Sequence, residues 1–247
     1  MLRLSLLLLL TMPADGPPPL PCDNPPALRV LMIGNSYTSY NELPRLLREL
    51  GTATHGCAVD VEPAARDGAR FVDHLASPHV RDRIREGRFD VVILQGQSLE
   101  TLADPGPFFQ AGRELASLAR GAGSQVIWFA TWARGAESPQ YRLPFLRMGP
   151  DRMARAVEGR YVRIAAGNDR IARVGAAWDL ALGRFPDVPL HVPDASHPNG
   201  AGSLLTACVL YATLMGETPR APEPAPYGLS SELANRLCAL SVEVNPR

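Results

Sequence analysis

Leu28-Arg29-Val30-Leu31-Met32-Ile33-Gly34-Asn35-Ser36-Tyr37-Thr38 is the stretch that decides the fold. Its first six residues are mostly branched and apolar, and Gly34 ends the run, as in a short strand buried on both faces. A polar turn follows, and then Leu43, Leu46, Leu47 and Leu50 recur at helical spacing. Asn41 stands where a helix cap belongs, and Pro44 is tolerated in a first turn. Working outward, the alternation repeats. Residues 58–61 read as a second strand, and 80–86 as a helix stopped by Gly87. Asp90-Val91-Val92-Ile93-Leu94 reads as a third strand, and Phe108, Ala111, Leu115 and Leu118 as the face of a helix stopped by Gly121. Residues 125–130 give a fourth strand, 153–173 a helix and 174–178 a final strand. The helix expected over 201–215 is apolar nearly all round, so it is expected to be buried. Strands alternating with helices predict an α/β fold, a three-layer sandwich with a central parallel sheet.

The 247 residues suffice for one domain of this kind. Lys+Arg and Asp+Glu are equal at 25 each, so no positive field is available to hold nucleic acid. Arg3 followed by the short apolar run 4–10 and a Pro-rich leader to residue 26 reads as an export signal, to the periplasm or outside. That run falls short of the roughly 20 residues a membrane span needs, and no other segment could cross a bilayer. Pro21 precedes Cys22 where a lipid-anchoring site takes Gly, Ala or Ser, which argues against an anchor there. The domain is expected over 27–217, with a Pro-rich linker and a C-terminal helix over 218–247. Cys22, Cys57, Cys208 and Cys238 show no paired close spacing, so a zinc site is not expected. Export permits a disulfide whose partners the sequence does not name; Cys208, inside an apolar helix, reads as a buried free thiol.

Ligands of parallel sheets sit beyond the carboxyl ends of the strands. There the chain carries Gly34-Asn35-Ser36, Asp67-Gly68-Ala69, Gln95-Gly96-Gln97-Ser98 and, late in the domain, His191-Val192-Pro193-Asp194-Ala195-Ser196-His197-Pro198. A serine hydroxyl becomes a nucleophile when an imidazole takes its proton, and a carboxylate must orient that imidazole. Asp194 and His197 are spaced so that one local turn can join them, leaving the other imidazole nitrogen for Ser36. His191, Asp194 and His197 also read as His-x-x-Asp-x-x-His. A metal there would take the carboxylate the imidazole needs, and no further ligand cluster accompanies them, so neither metal nor cofactor is expected. His55, His74 and His79 read as structural or surface residues, Ser98 and Glu100 as loop residues in reach of a substrate. Tyr37 fits either the pocket or the core.

Ile33-Gly34-Asn35-Ser36-Tyr37-Thr38 resembles the first block of SGNH/GDSL-like hydrolases, in the form with Gly-Asn-Ser for Gly-Asp-Ser, and Asp194-Ala195-Ser196-His197-Pro198 is similar to their last block, Asp-x-x-His-Pro. The resemblance spans nearly all of residues 28–216. It implies a flavodoxin-like sheet, Ser36, Asp194 and His197 as catalytic residues, and an oxyanion hole from Ser36, Gly68 and a third-block side chain. The family usually carries Gly-x-Asn-Asp in that block. Here Gln95-Gly96-Gln97 puts Gln97 at the Asn position, and it is similar to the Gln-Gly-Glu of some family carbohydrate acetylesterases. The implied activity is hydrolysis of O-acyl esters on a small molecule or carbohydrate through an acyl-Ser36 intermediate. An O-acyltransferase with the same triad and a non-catalytic carbohydrate-binding protein on the same fold stay open, and nothing fixes the oligomeric state.

Overall fold

Each strand of the sheet sends alternate residues to opposite faces. The computed structural model describes residues 28–55 and 59–244. The chain opens with β1 (Leu28–Gly34), α1 (Ser36–Ser39), α2 (Leu43–His55) and β2 (Val59–Ala65), followed by α3 (Phe71–Ala76) and α4 (Pro78–Arg85). Then come β3 (Val91–Leu94), α5 (Glu100–Ala103), α6 (Pro105–Gly121), β4 (Gln125–Ala130), α7 (Gly149–Ile164) and β5 (Arg170–Arg173). The last three helices are α8 (Val174–Arg184), α9 (Gly200–Met215) and α10 (Ser231–Val244).

The strands pair in the order β2-β1-β3-β4-β5, and every pairing is parallel. Val30, Met32, Val91, Ile93, Ile127 and Phe129 face one core with Leu46, Leu47, Trp178 and most of α9. Leu31, Ile33, Val92, Leu94, Val126 and Trp128 face the other, against Phe71, Ile84, Phe108, Leu115 and Tyr161. The expected three-layer α/β sandwich is therefore what forms. Because the chain starts in β1 and winds outward both ways, the order reverses between β1 and β3, and a crevice opens beyond their carboxyl ends at such a switch.

Three local expectations are corrected. The helix expected over 153–173 ends at Ile164, and a turn with Gly167 in the left-handed region leads into β5. Asp169 fixes that turn, accepting from the Ala166 N–H, the Trp128 indole and the Arg120 guanidinium. The strand expected over 174–178 is instead the start of α8. Its Val-Gly-Ala-Ala-Trp run is apolar because Val174, Gly175, Ala177 and Trp178 are buried under the sheet, and periodicity does not separate a short buried helix from a strand. Cys208 is not a free thiol: it is bonded to Cys238, so that α9 is tied to α10 across 30 residues of sequence.

Helix α9 is buried from Ala201 to Leu214 because α2, α8 and α10 surround it. Helix α10 buries Ala234, Leu237, Cys238 and Leu240 and thereby completes that layer. No helix among the described residues is long and apolar enough to cross a membrane. The expected export signal, Cys22 and Cys57 lie outside the described residues.

Candidate active site

Ser36 is the first residue of α1, immediately beyond β1. The turn that presents it is closed by its neighbours. Asn35 caps α1, its Oδ1 accepting from the Tyr37 N–H at 2.9 Å. Gln95, just past β3, accepts at one oxygen from the Asn35 N–H (2.9 Å) and the Thr38 hydroxyl (3.0 Å). A Cβ at position 34 would lie 2.2 Å from Thr38 Oγ1 and 2.5 Å from Gln95 Oε1, so only glycine admits this crossing. Beneath it, buried His74 donates from Nε2 to the Gly34 carbonyl at 2.8 Å. Burial pushes the His74 imidazole below its ordinary value although the Gly34 carbonyl opposes that shift. His74 is thus structural, as expected, and His79 is exposed.

The segment between α8 and α9 folds back on itself. His191 and Pro198 form an antiparallel bridge, and Val192 N–H donates to the His197 carbonyl at 2.9 Å. At its tip Asp194 Oδ1 accepts from the Ser196 and His197 N–H groups, both at 2.8 Å. The other oxygen, Oδ2, lies 2.5 Å from His197 Nδ1. His197 Nε2 then stands 2.9 Å from Ser36 Oγ. An ionised carboxylate only accepts, so Nδ1 carries the proton toward Asp194, and Nε2 is left to accept from the serine hydroxyl. Desolvation pulls the Asp194 carboxyl upward, but His197 and the two backbone donors outweigh it and hold the carboxyl below its ordinary value. Ser36 and His197, 161 residues apart in sequence, thus meet with Asp194 in one line of hydrogen bonds.

Aromatic rings wall the imidazole. Tyr40 stacks on it with centroids 4.8 Å apart, and Tyr37 meets it edge-on at 5.5 Å. Tyr37 belongs to both core and site: it is buried, stacks on Trp132 at 4.4 Å, and its hydroxyl lies 2.8 Å from Ser196 Oγ. Trp132 donates from its indole to the Ser196 carbonyl at 3.0 Å, so the same pair of rings holds the His197 turn from below. Beside Trp132 and Trp178 lies a groove of about 350 Å³, with Arg134, Glu137, Asp179, Leu182 and His191 in its walls.

Gly68 follows β2 and Gln97 follows β3, on the same edge of the sheet as Ser36. Neither hydrogen-bonds to Ser36 or His197. Among the described residues the N–H groups of Ser36 and Gly68 donate to no protein acceptor. Gln97 uses Oε1 to accept from the Leu99 and Glu100 N–H groups at 2.7 and 3.0 Å, and its Nε2 is a donor with Ser98 Oγ at 3.5 Å.

Two expectations about this loop are corrected. Ser98 and Glu100 do not line an open loop; both are buried. Ser98 Oγ accepts from Arg134 at 3.0 Å. The Glu100 carboxylate accepts from Gln97 N–H at 2.9 Å and lies 3.4 Å from Phe71 N, joining the loop after β2 to the loop after β3. Burial pushes this carboxyl up to about 7, against those backbone donors and Arg70. Asn41 is also corrected: it has a left-handed backbone and does not cap α2, its amide instead donating to the Pro198 carbonyl at 3.0 Å and to Ser203 Oγ at 2.8 Å. Gln95 and Glu100 were legible only as polar residues near a strand end; their role needs the third dimension.

The raised Glu100 carboxyl links stability to pH. The unfolded chain ionises it near 4.5 and the folded chain keeps it protonated to about 7. Its contribution is full below the unfolded value and is lost as pH rises through the folded one. Glu100→Gln, which is neutral throughout, is expected to match wild type at pH 4.5. It should exceed wild type by on the order of 2–3 kcal/mol above pH 7.5. Urea unfolding of both proteins across that range checks this, and parallel curves would contradict it.

No family model matches the chain, and no curated protein does. Among solved structures, a protein from Slackia heliotrinireducens assigned to the SGNH hydrolases is 29% identical, over 76% of this chain and 100% of that one, with a TM-score of 0.65. The chain is thus similar to the SGNH/GDSL-like hydrolases. Two further structures share the fold at lower identity. A DUF4886 family protein from Bacteroides uniformis is 17% identical over 90% of this chain and 96% of its own, with a TM-score of 0.72. A catalytic mutant of an acetylxylan esterase from Geobacillus stearothermophilus is 16% identical over 75% and 93%, with a TM-score of 0.56.

Proposed function

We propose that this chain is a serine esterase of the SGNH type that removes an O-acyl group, acetyl foremost, from a carbohydrate hydroxyl through an acyl-Ser36 intermediate. The observation that carries the reading is the continuous line Ser36 Oγ, His197 Nε2, His197 Nδ1, Asp194 Oδ2, with steps of 2.9 and 2.5 Å. His197 takes the Ser36 proton as Oγ attacks the ester carbonyl, and Asp194 stabilises the imidazolium. His197 then gives that proton to the departing sugar oxygen, and water repeats the sequence in reverse to release the acid. The Ser36 and Gly68 N–H groups and the Gln97 amide donate to the oxyanion; one such donor typically lowers the barrier by about 3 kcal/mol. The reaction needs no cofactor in this account.

The preference for a sugar ester rests on two supports. The fold is shared with a structure named as an acetylxylan esterase, and the groove beside Trp132 offers Arg134, Glu137, Asp179 and His191, side chains able to bond hydroxyl groups. Export is part of the same reading, and the Cys208–Cys238 bridge supports it, since disulfides persist in oxidising compartments. On this reading the domain is assigned to residues 27–217, and residues 218–244 return to it as a linker and a docked helix.

The test is turnover of p-nitrophenyl acetate and of acetylated xylo-oligosaccharide, with product analysis in the presence and absence of a free sugar acceptor. Acetate release from both, unchanged by the acceptor, is expected. Acetyl transfer to the sugar would make the chain an acyltransferase, and turnover of neither by folded protein would leave the non-catalytic binding reading.

A further inference from the structure

Among the described residues, four that are not glycine have left-handed backbones: Asn41, Glu42, Ala195 and Tyr227, with φ of 51°, 53°, 56° and 58°. Asparagine tolerates that region, whereas for a bulky residue such as tyrosine it is a genuine outlier. Strained residues of this kind persist only where surrounding structure holds them, and they cluster at functional sites. These four come from three distant parts of the chain, yet all lie on segments that meet at the His197 turn.

The contacts say what the strain accomplishes. Tyr227, on the Pro-rich segment after α9, donates from its hydroxyl to the Asn41 carbonyl at 2.5 Å. Its ring lies directly on the start of α9: a Cβ at Gly200 would be 2.4 Å from Tyr227 Cβ and 2.6 Å from Cγ. Asn41 passes the restraint on, since its amide holds the Pro198 carbonyl, next in sequence to His197, and Ser203 Oγ. Tyr40, directly before Asn41, is the residue stacked on the imidazole. The imidazole side chain is 27% exposed, and Asp194 fixes its Nδ1 edge.

We propose that Tyr227 and Asn41 form a clamp through which the C-terminal segment positions the His197 imidazole for Ser36; this rests on the esterase reading above. Both are positioning residues, touching neither substrate nor the reacting atoms. The clamp makes the C-terminal segment around Tyr227 part of the working site as well as of the core. With Asn41 and Tyr227 in these conformations, the carbonyl of Asn41 faces the strap while its amide faces the His197 turn.

The experiment compares wild type, Tyr227→Phe and Asn41→Gly. Phenylalanine keeps the ring on Gly200 and loses one hydrogen bond; glycine accepts the left-handed backbone without strain and loses the amide donor. For p-nitrophenyl acetate, with sites counted by fluorophosphonate titration, kcat per site is expected to fall about 10-fold in Tyr227→Phe and up to about 100-fold in Asn41→Gly. KM should be unchanged, as for misplacement of a catalytic group. Counting sites removes any loss from unfolded protein. Wild-type kcat per site in both variants, or a rise in KM at constant kcat, would overturn the clamp. Failure of wild type itself to react with the probe would overturn the esterase reading instead, so the two failures are distinct.

Discussion

Ser36→Ala is expected to lower kcat for ester hydrolysis by about 10⁴- to 10⁶-fold, the range that removal of the nucleophile of a triad produces. The hydroxyl has one described partner, His197 Nε2. Thr38, a second hydroxyl in the turn, is buried and already donates to Gln95, so it cannot take over the attack. The fold should be indifferent to the change. Asn35 still caps α1, Gln95 still closes the turn, and the freed imidazole nitrogen is partly exposed to water. Thermal unfolding within about 1 kcal/mol of wild type is therefore expected alongside the lost rate. Such a pair of results separates loss of chemistry from loss of structure.

Asp194→Asn is expected to cost about 10⁴-fold in kcat, by a different route. The turn survives, because the amide oxygen can still accept from the Ser196 and His197 N–H groups. What changes is the atom facing His197 Nδ1: an acceptor becomes an NH₂ donor. Nδ1 must then be the unprotonated nitrogen, Nε2 carries the proton, and the imidazole has no lone pair with which to take the Ser36 hydrogen. Steady-state kinetics on p-nitrophenyl acetate measures the loss. A decrease below about 10-fold would mean that the 2.5 Å contact orients nothing the reaction needs.

Much of this architecture is legible in the sequence because the physics concerned is local. The first four strands announce themselves by brief branched runs ended by glycine or polar turns, and α9 by being apolar all round. Ser36 and the Asp194–His197 pair stand out because acyl transfer needs those residue types and because strand ends gather them. The errors have physical sources as well. Arg170-Ile171-Ala172-Arg173 looks helical because β5 is an edge strand with charged ends, Arg170 reaching the Thr213 and Leu214 carbonyls across the edge. Cys208 looks like a buried thiol because nothing local reveals that α10 brings Cys238 to it. Asn41 looks like a cap because its side chain suits one, whereas tertiary contacts with Pro198 and Ser203 decide its backbone. Gln95 and Glu100 show in the sequence only as polar residues near a strand end, and Tyr227 shows nothing, since each acts by bridging segments that are distant in the chain.

The central claim is that His197, held by Asp194, activates Ser36. Fluorophosphonate labelling followed by peptide mass spectrometry tests it most directly, on wild type, Ser36→Ala and His197→Ala. The account predicts one adduct in wild type, on Ser36, absent from Ser36→Ala and nearly absent from His197→Ala. Folded wild type without an adduct, or an adduct that persists in Ser36→Ala, would contradict it.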